Sequence, residues 1–233
     1  TDTLVVASTA TATISDAAET DIAATVLSAI GAKTSGAVTA TNAIDIAGTA
    51  AELTAALVTT DTLVVASTAT ATISDAAETD IAATVLSAIG AKTSGTVTAT
   101  NAIDIAGTAA EVTAALVTAD TLVVAGTATV TISDNPSITD LNAIAAKTSG
   151  VVTATLAADS LSNLGALTTA GTDAITITVN DAAEADVTAA NLSTLGGKTA
   201  GTVTVSNAVD ITGSASELTA ALVTTDTLVV AST

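Results

Sequence analysis

Residues 2–60 are followed by residues 61–119, a second stretch of 59 residues that differs from the first at three positions only: Ala37 against Thr96, Leu53 against Val112, and Thr60 against Ala119. Copies this alike cannot fill the unlike corners of one globular core, because each position must do the same job twice. That constraint points to stacked repeats, each burying its apolar side against the next. Each 59-residue copy divides into a long and a short module, and the pattern continues in looser form. The modules are residues 2–36, 37–60, 61–95, 96–119, 120–150, 151–171, 172–201 and 202–225, with another beginning at 226. Eight modules of 21 to 35 residues have the length of solenoid coils.

The phrase TDTLVVAST stands at Thr1–Thr9, Thr60–Thr68 and Thr225–Thr233, and as ADTLVVAGT at Ala119–Thr127. It reads as a buried strand opening each long coil. Its presence at both ends leaves the chain at one phase of its repeat, so the expectation is an excerpt of a longer tandem array.

Within a module the apolar period changes. TATIS puts Thr11, Thr13 and Ser15 on one face and Ala12 and Ile14 on the other, and TVTIS (Thr129–Ser133), ITITV (Ile175–Val179) and TVTVS (Thr202–Ser206) repeat the alternation of half-buried strands. AIDIAG is a second short strand, with Ile44 and Ile46 inward and Asp45 outward. Helical spacing follows in SDAAETDIAATVLSAIGAK, where Asp16 and Glu19 predict an N-terminal cap and Ile22, Val26, Leu27 and Ile30 share a face. Thr49 with Glu52, and Ser214 with Glu217, predict capping boxes. Gly36, Gly95, Gly150 and Gly201, each shortly after a Lys, read as helix stops, and Pro136 as a residue just inside a helix start.

The core available to such coils contains no Phe, Tyr, Trp or Met, only Ala, Val, Leu and Ile, and must be thin and layered. The fold expected is therefore an α/β solenoid, a right-handed parallel β-solenoid of about eight coils, each carrying one or two short strands and a helix. Stacked at roughly 4.8 Å, eight coils make a rod on the order of 40 Å long.

The same missing residues exclude most site chemistry. Without His or Cys there is no imidazole base, thiolate nucleophile or ordinary zinc, haem or iron–sulfur site. A formal charge of −19 with four Lys and no Arg argues against nucleic acid and anionic membranes as partners. No apolar run approaches the roughly 18 residues of a membrane span, and no basic region precedes an apolar stretch, so a secretion signal is expected elsewhere if the protein is exported. GAKTSG and LGGKTAG resemble the end of a phosphate loop, but Leu192 stands where the first glycine is required, and the lysines Lys33, Lys92, Lys147 and Lys198 all fall at helix C-termini, which repel phosphate.

Two surface readings remain. Asp45, Asp104 and Asp210 recur in register and are candidates for calcium bridging between coils, against a plainer role as solvated edge charge. Asp16, Asp75, Asp134 and Asp181 recur at expected helix starts and read as caps. Thr-x-Thr pairs occur on nearly every coil: Thr11/Thr13, Thr39/Thr41, Thr70/Thr72, Thr98/Thr100, Thr129/Thr131, Thr153/Thr155, Thr176/Thr178 and Thr202/Thr204. Stacked, they form a two-column threonine face of the kind ice-binding solenoids present; threonine's β-propensity alone also accounts for them.

TISDAAETDIAATVLSAIGAKTSG (Thr13–Gly36) and VDITGSASELTAAL (Val209–Leu222) resemble the degenerate repeats of very large bacterial surface and secreted proteins, among them adhesins, sheath proteins and haemolysin-like exoproteins. The resemblance implies an extracellular or cell-surface structural role and brings no catalytic residue with it. The expectation is a non-enzymatic repeat segment of a filament, sheath, surface layer or adhesin stalk. It would carry no cofactor beyond structural calcium, and its partners would be copies of itself or flanking repeats, end to end. An ice-binding solenoid and a calcium-bridged adhesin repeat are the alternatives.

Overall fold

A computed structural model describes residues 7–224 and 229–231. The fold is α/β, with short parallel strands alternating with helices, as the change of period predicts. Two compact units are present, one drawn from residues 1–106 and 110–128, the other from 107–109 and 129–233. The opening residues Thr1–Val6, and Thr225–Leu228 with Ser232 and Thr233 at the other end, lie outside the described residues, so two-thirds of the first and of the last TDTLVVAST phrase is not placed.

The first unit contains β1 (Ala12–Ile14), β2 (Asp21–Ala23), α1 (Ala24–Gly31), β3 (Val38–Ala40), β4 (Asp45–Gly48), α2 (Ala50–Leu57), β5 (Val64–Val65), β6 (Thr70–Ile73), β7 (Asp80–Ala82), α3 (Ala83–Gly90), β8 (Val97–Ala99), β9 (Asp104–Gly107), α4 (Ala109–Leu116) and β10 (Val123–Val124). The adjoining ends of β9 and α4, residues 107–109, count with the second unit. Strand and strand again are followed by helix, so successive strands belong to different sheets: β1, β3 and β5 form one ladder, β2, β4, β6, β8 and β10 a second, and β7 pairs with β9.

Equivalent strands do not simply stack copy on copy. Ala12 lies beside Val38 and Val38 beside Val64, a step of 26 residues each time. Two such steps leave seven residues of the 59-residue repeat over, so β6, identical in sequence to the segment containing β1, does not continue β1's ladder. It pairs with β4 instead, on the ladder begun by β2 (Ile46 with Ala71, Gly48 with Ile73). The extra strand of the long module shifts the phase at each copy.

The second unit contains β11 (Thr129–Ile132), α5 (Ile138–Ala145), β12 (Val152–Thr155), α6 (Leu161–Leu164), β13 (Ala174–Val179), β14 (Asp186–Thr188), α7 (Ala189–Gly196), β15 (Val203–Val205), β16 (Asp210–Thr212), α8 (Ala215–Leu222) and β17 (Val229–Ala231). β13 makes the phase shift within one strand. Its first half pairs with β12 (Ala154 with Ile175) and its second with β15 (Thr178 with Thr204). β15 also pairs with β17, and β14 with β16.

Core positions are those the alternation selects. Ile46 and Ile73 from strands, Ile44 just ahead of β4, and Leu27, Leu53 and Leu86 from helices are fully buried in the first unit, as are Leu141, Ile175 and Leu192 in the second. These aliphatic side chains make up the core of each unit.

Four local expectations are corrected. Asp16 does not cap α1: Ala17–Thr20 form a turn, Asp21–Ala23 pair residue for residue with β4, and the helix starts at Ala24 with Ala23 at its N-cap and no side-chain cap bond. Strand pairing with β4 outweighs the local capping signal. Gly36 and its equivalents do not stop helices. α1 ends at Gly31, and no described glycine has a positive φ. Pro136 stands one residue before the N-cap Ser137, not inside α5. The LVV segment is not a buried strand. Thr60–Thr62 form a 3₁₀ turn, and in β5 Val64 is buried while Val65, on the opposite face beside Thr39, is 46% exposed.

Candidate functional site

The recurring polar residues divide into those that stitch one module to the next and those that face solvent. Capping is the clearest stitch. The Ala50 N–H at the start of α2 donates to Asp75 Oδ2 at 2.6 Å, and the Leu161 N–H at the start of α6 donates to Asp181 Oδ2 at 2.7 Å. Both members of a third pair, Ala109 N–H to Asp134 Oδ1 at 2.7 Å, lie in the second unit. These aspartates do cap helices, but each caps the helix of the preceding module, 20 to 25 residues back in the chain. Satisfying an orphan N–H this way couples local helix stability to stacking. Within α2 and α8 the predicted capping boxes form: Thr49 and Glu52 exchange bonds of 2.8 and 3.3 Å, Ser214 and Glu217 bonds of 2.7 and 3.4 Å. Donation from the Ser214 backbone and hydroxyl holds the Glu217 carboxyl below the usual range.

The KTSG segments form a second stitch. Thr34 and Thr93 donate their hydroxyls to the carbonyls of Ala10 and Ala69, and accept from the N–H groups of Gly36 and Gly95. Thr199 donates to Asp173 and Ile175 and accepts from Gly201. A Cβ on Gly95 would lie 2.1 Å from the Ala69 carbonyl oxygen, and on Gly36 2.3 Å from that of Ala10. Glycine is required here for close approach of two backbones. A groove of about 560 Å³ runs beside Lys92–Gly95, yet its amides are spoken for. The N–H groups of Lys92, Thr93, Ser94 and Gly95 donate to Ile89, Gly90, Ser67 and the Thr93 hydroxyl. No cradle of free amides remains for a phosphate.

Asp173 was not singled out by sequence reasoning. It is 4% exposed, and its two carboxylate oxygens accept the N–H groups of Val152 at 2.8 Å and Ala170 at 2.9 Å. Its position in the loosest pair of modules, with no counterpart in the 59-residue copies, hid it.

Each calcium candidate has an aspartate in register beside it. Asp45 faces Asp21, Asp104 faces Asp80 and Asp210 faces Asp186. Asp45 also accepts from the Thr70 hydroxyl across the next rung. Among the described residues no group of three or more acidic side chains converges as a cation cage would require.

All sixteen Thr-x-Thr residues are half-buried or exposed. Thr13 lies beside Thr39, Thr72 beside Thr98, Thr131 beside Thr153, Thr155 beside Thr176 and Thr178 beside Thr204. The columns are broken, however. Thr39 is followed by Val65, Thr98 by Val124, Thr153 by Ala174 and Thr204 by Val230, while Thr70 faces Asp45. The hydroxyls of Thr41 and Thr100 turn back onto the carbonyls of Ile14 and Ile73. Thr11 and Thr202 stand exposed just ahead of β1 and β15, and Thr129 opens β11.

No protein-family model matches the chain, and no match is found among curated proteins or solved structures. No helix among the described residues is long and apolar enough to cross a membrane.

Proposed function

We propose that this chain is a structural repeat segment of an extracellular filament, sheath, surface layer or adhesin stalk. It would be built as a right-handed parallel solenoid in which each coil provides the template for the next. The observation that carries this reading is the stitching: the polar residues that recur most regularly hold adjacent coils together. Asp75 and Asp181 cap helices one coil back, and Thr34, Thr93 and Thr199 tie helix exits to strand entries. Residues kept for that purpose serve length and continuity. An acidic surface would hold neighbouring rods apart unless cations screen them.

The interrupted threonine columns favour this reading over an ice-matched plane. Electron microscopy of the native material, labelled with an antibody to this chain, tests it. Continuous fibres or a periodic layer are expected, and discrete monomers in the native setting overturn it.

A further inference from the structure

We infer that Asp173 and the small polar pocket it lines bind a monovalent alkali cation, which ties three successive modules of the second unit together. The pocket, of about 180 Å³, draws Asn142, Thr148 and Ser149 from one module, Thr168 from the next, and Thr172 and Asp173 from the third.

Asp173 is the one charged side chain buried among the described residues. Its two oxygens accept from the N–H groups of Val152 and Ala170, as an ionised carboxylate does, and each keeps a further lone-pair site. Both donors are neutral amides, so the charge is hydrogen-bonded but not neutralised. A buried charge is costly unless it is paired or coordinates a metal. The Lys198 ammonium does not pair with it, since it donates to the carbonyls of Gly165 and Leu167. Nor does the stitch between modules need a carboxylate there. The Ala200 N–H donates to the Asp173 carbonyl as Ser94 does to Ser67 and Ser35 to Ser8. Ser8 and Ser67 fill that place as exposed residues, so a buried acid in it is particular to this pocket.

The lining selects the ion. Hydroxyl and amide oxygens around one carboxylate suit a hard cation, and a single positive charge balances the single negative one. A divalent ion would leave an excess positive charge, and among the described residues no group of three acidic side chains converges to offset it. Asn142 is held in place as one wall: its Oδ1 accepts from the Thr168 N–H at 2.8 Å and its Nδ2 donates to the Ala166 carbonyl at 3.0 Å. Because three modules supply the lining, the ion binds the folded chain and not the unfolded one, and so stabilises their packing together.

Urea unfolding of the whole chain in sodium, potassium and choline chloride at equal ionic strength tests this. The midpoint should be higher in sodium or potassium than in choline. Above the dissociation constant, each tenfold rise in the favoured ion should raise the folded-to-unfolded ratio roughly tenfold. Asp173→Asn should abolish that dependence, together with any sodium-23 line broadening by the folded chain. It changes one charge of a net −19, so the diffuse counterion atmosphere is left in place. Thr172→Val, at an exposed position, should fold as the parent does in choline and bind the ion several-fold more weakly. Equal midpoints in the three salts, or an ion dependence unchanged in both variants, overturns the site. Stabilisation by calcium chloride at concentrations where sodium and potassium have no effect overturns the monovalent assignment.

Discussion

Glu19, Glu78 and Glu184 have φ of 62°, 63° and 64°, a left-handed conformation that costs a side chain with a Cβ about 1–2 kcal/mol. Each donates its N–H across to the following module, to the carbonyls of Ala43, Ala102 and Ala208. The conformation persists because that bond needs it. Glu78→Gly is expected to raise stability by about 1 kcal/mol, read as a higher midpoint in urea denaturation. Gly95→Ala should do the opposite. Its Cβ would meet the Ala69 carbonyl at 2.1 Å, and a backbone atom cannot rotate away, so a loss of about 2–3 kcal/mol is expected in the same experiment. At Asp173 the issue is desolvation, since removing the carboxylate orphans the buried N–H of Val152 and strands that of Ala170. Asp173→Ala should cost about 2–4 kcal/mol, and Asp173→Asn, which keeps an acceptor, distinctly less in thermal melts.

Among elements, the described helices are eight residues or shorter, too short to hold themselves in water, and depend on caps and on the modules beside them. Asp75→Ala therefore removes a cap from α2 although Asp75 lies 25 residues away, and should cost about 1 kcal/mol. Hydrogen exchange should quicken first at the amino end of α2, not in α3, the helix that local sequence would assign to Asp75. A change confined to α3 would contradict the assignment.

For the whole molecule, the 59-residue copy is the unit that can be removed without breaking phase, because joining Thr60 to Asp120 restores the phrase TDTLVVAGT. Deleting Asp61–Ala119 should leave the far-ultraviolet circular dichroism per residue unchanged and unfolding cooperative. The urea m-value should fall by roughly a quarter, in proportion to the surface lost. An unfolded product would show that the copies are not interchangeable.

Much of the fold was legible in the sequence because it follows from period and composition. Alternation in TATIS and AIDIAG determined which residues point inward, as Ile14, Ile44 and Ile46 do, and Thr49 with Glu52 determined a helix start from four adjacent residues. Which Asp caps which helix, why Gly36 must be glycine, and that β6 joins β4's ladder were decided only by the tertiary structure. Each depends on a partner about 25 residues away along the chain. The physical reason is range. A hydrogen-bonded cap or a pleated face is set by neighbours within a turn or two, whereas the seven residues by which 59 exceeds two rungs have no local signature. Their effect exists only once strands from different modules pair and each must choose its neighbour.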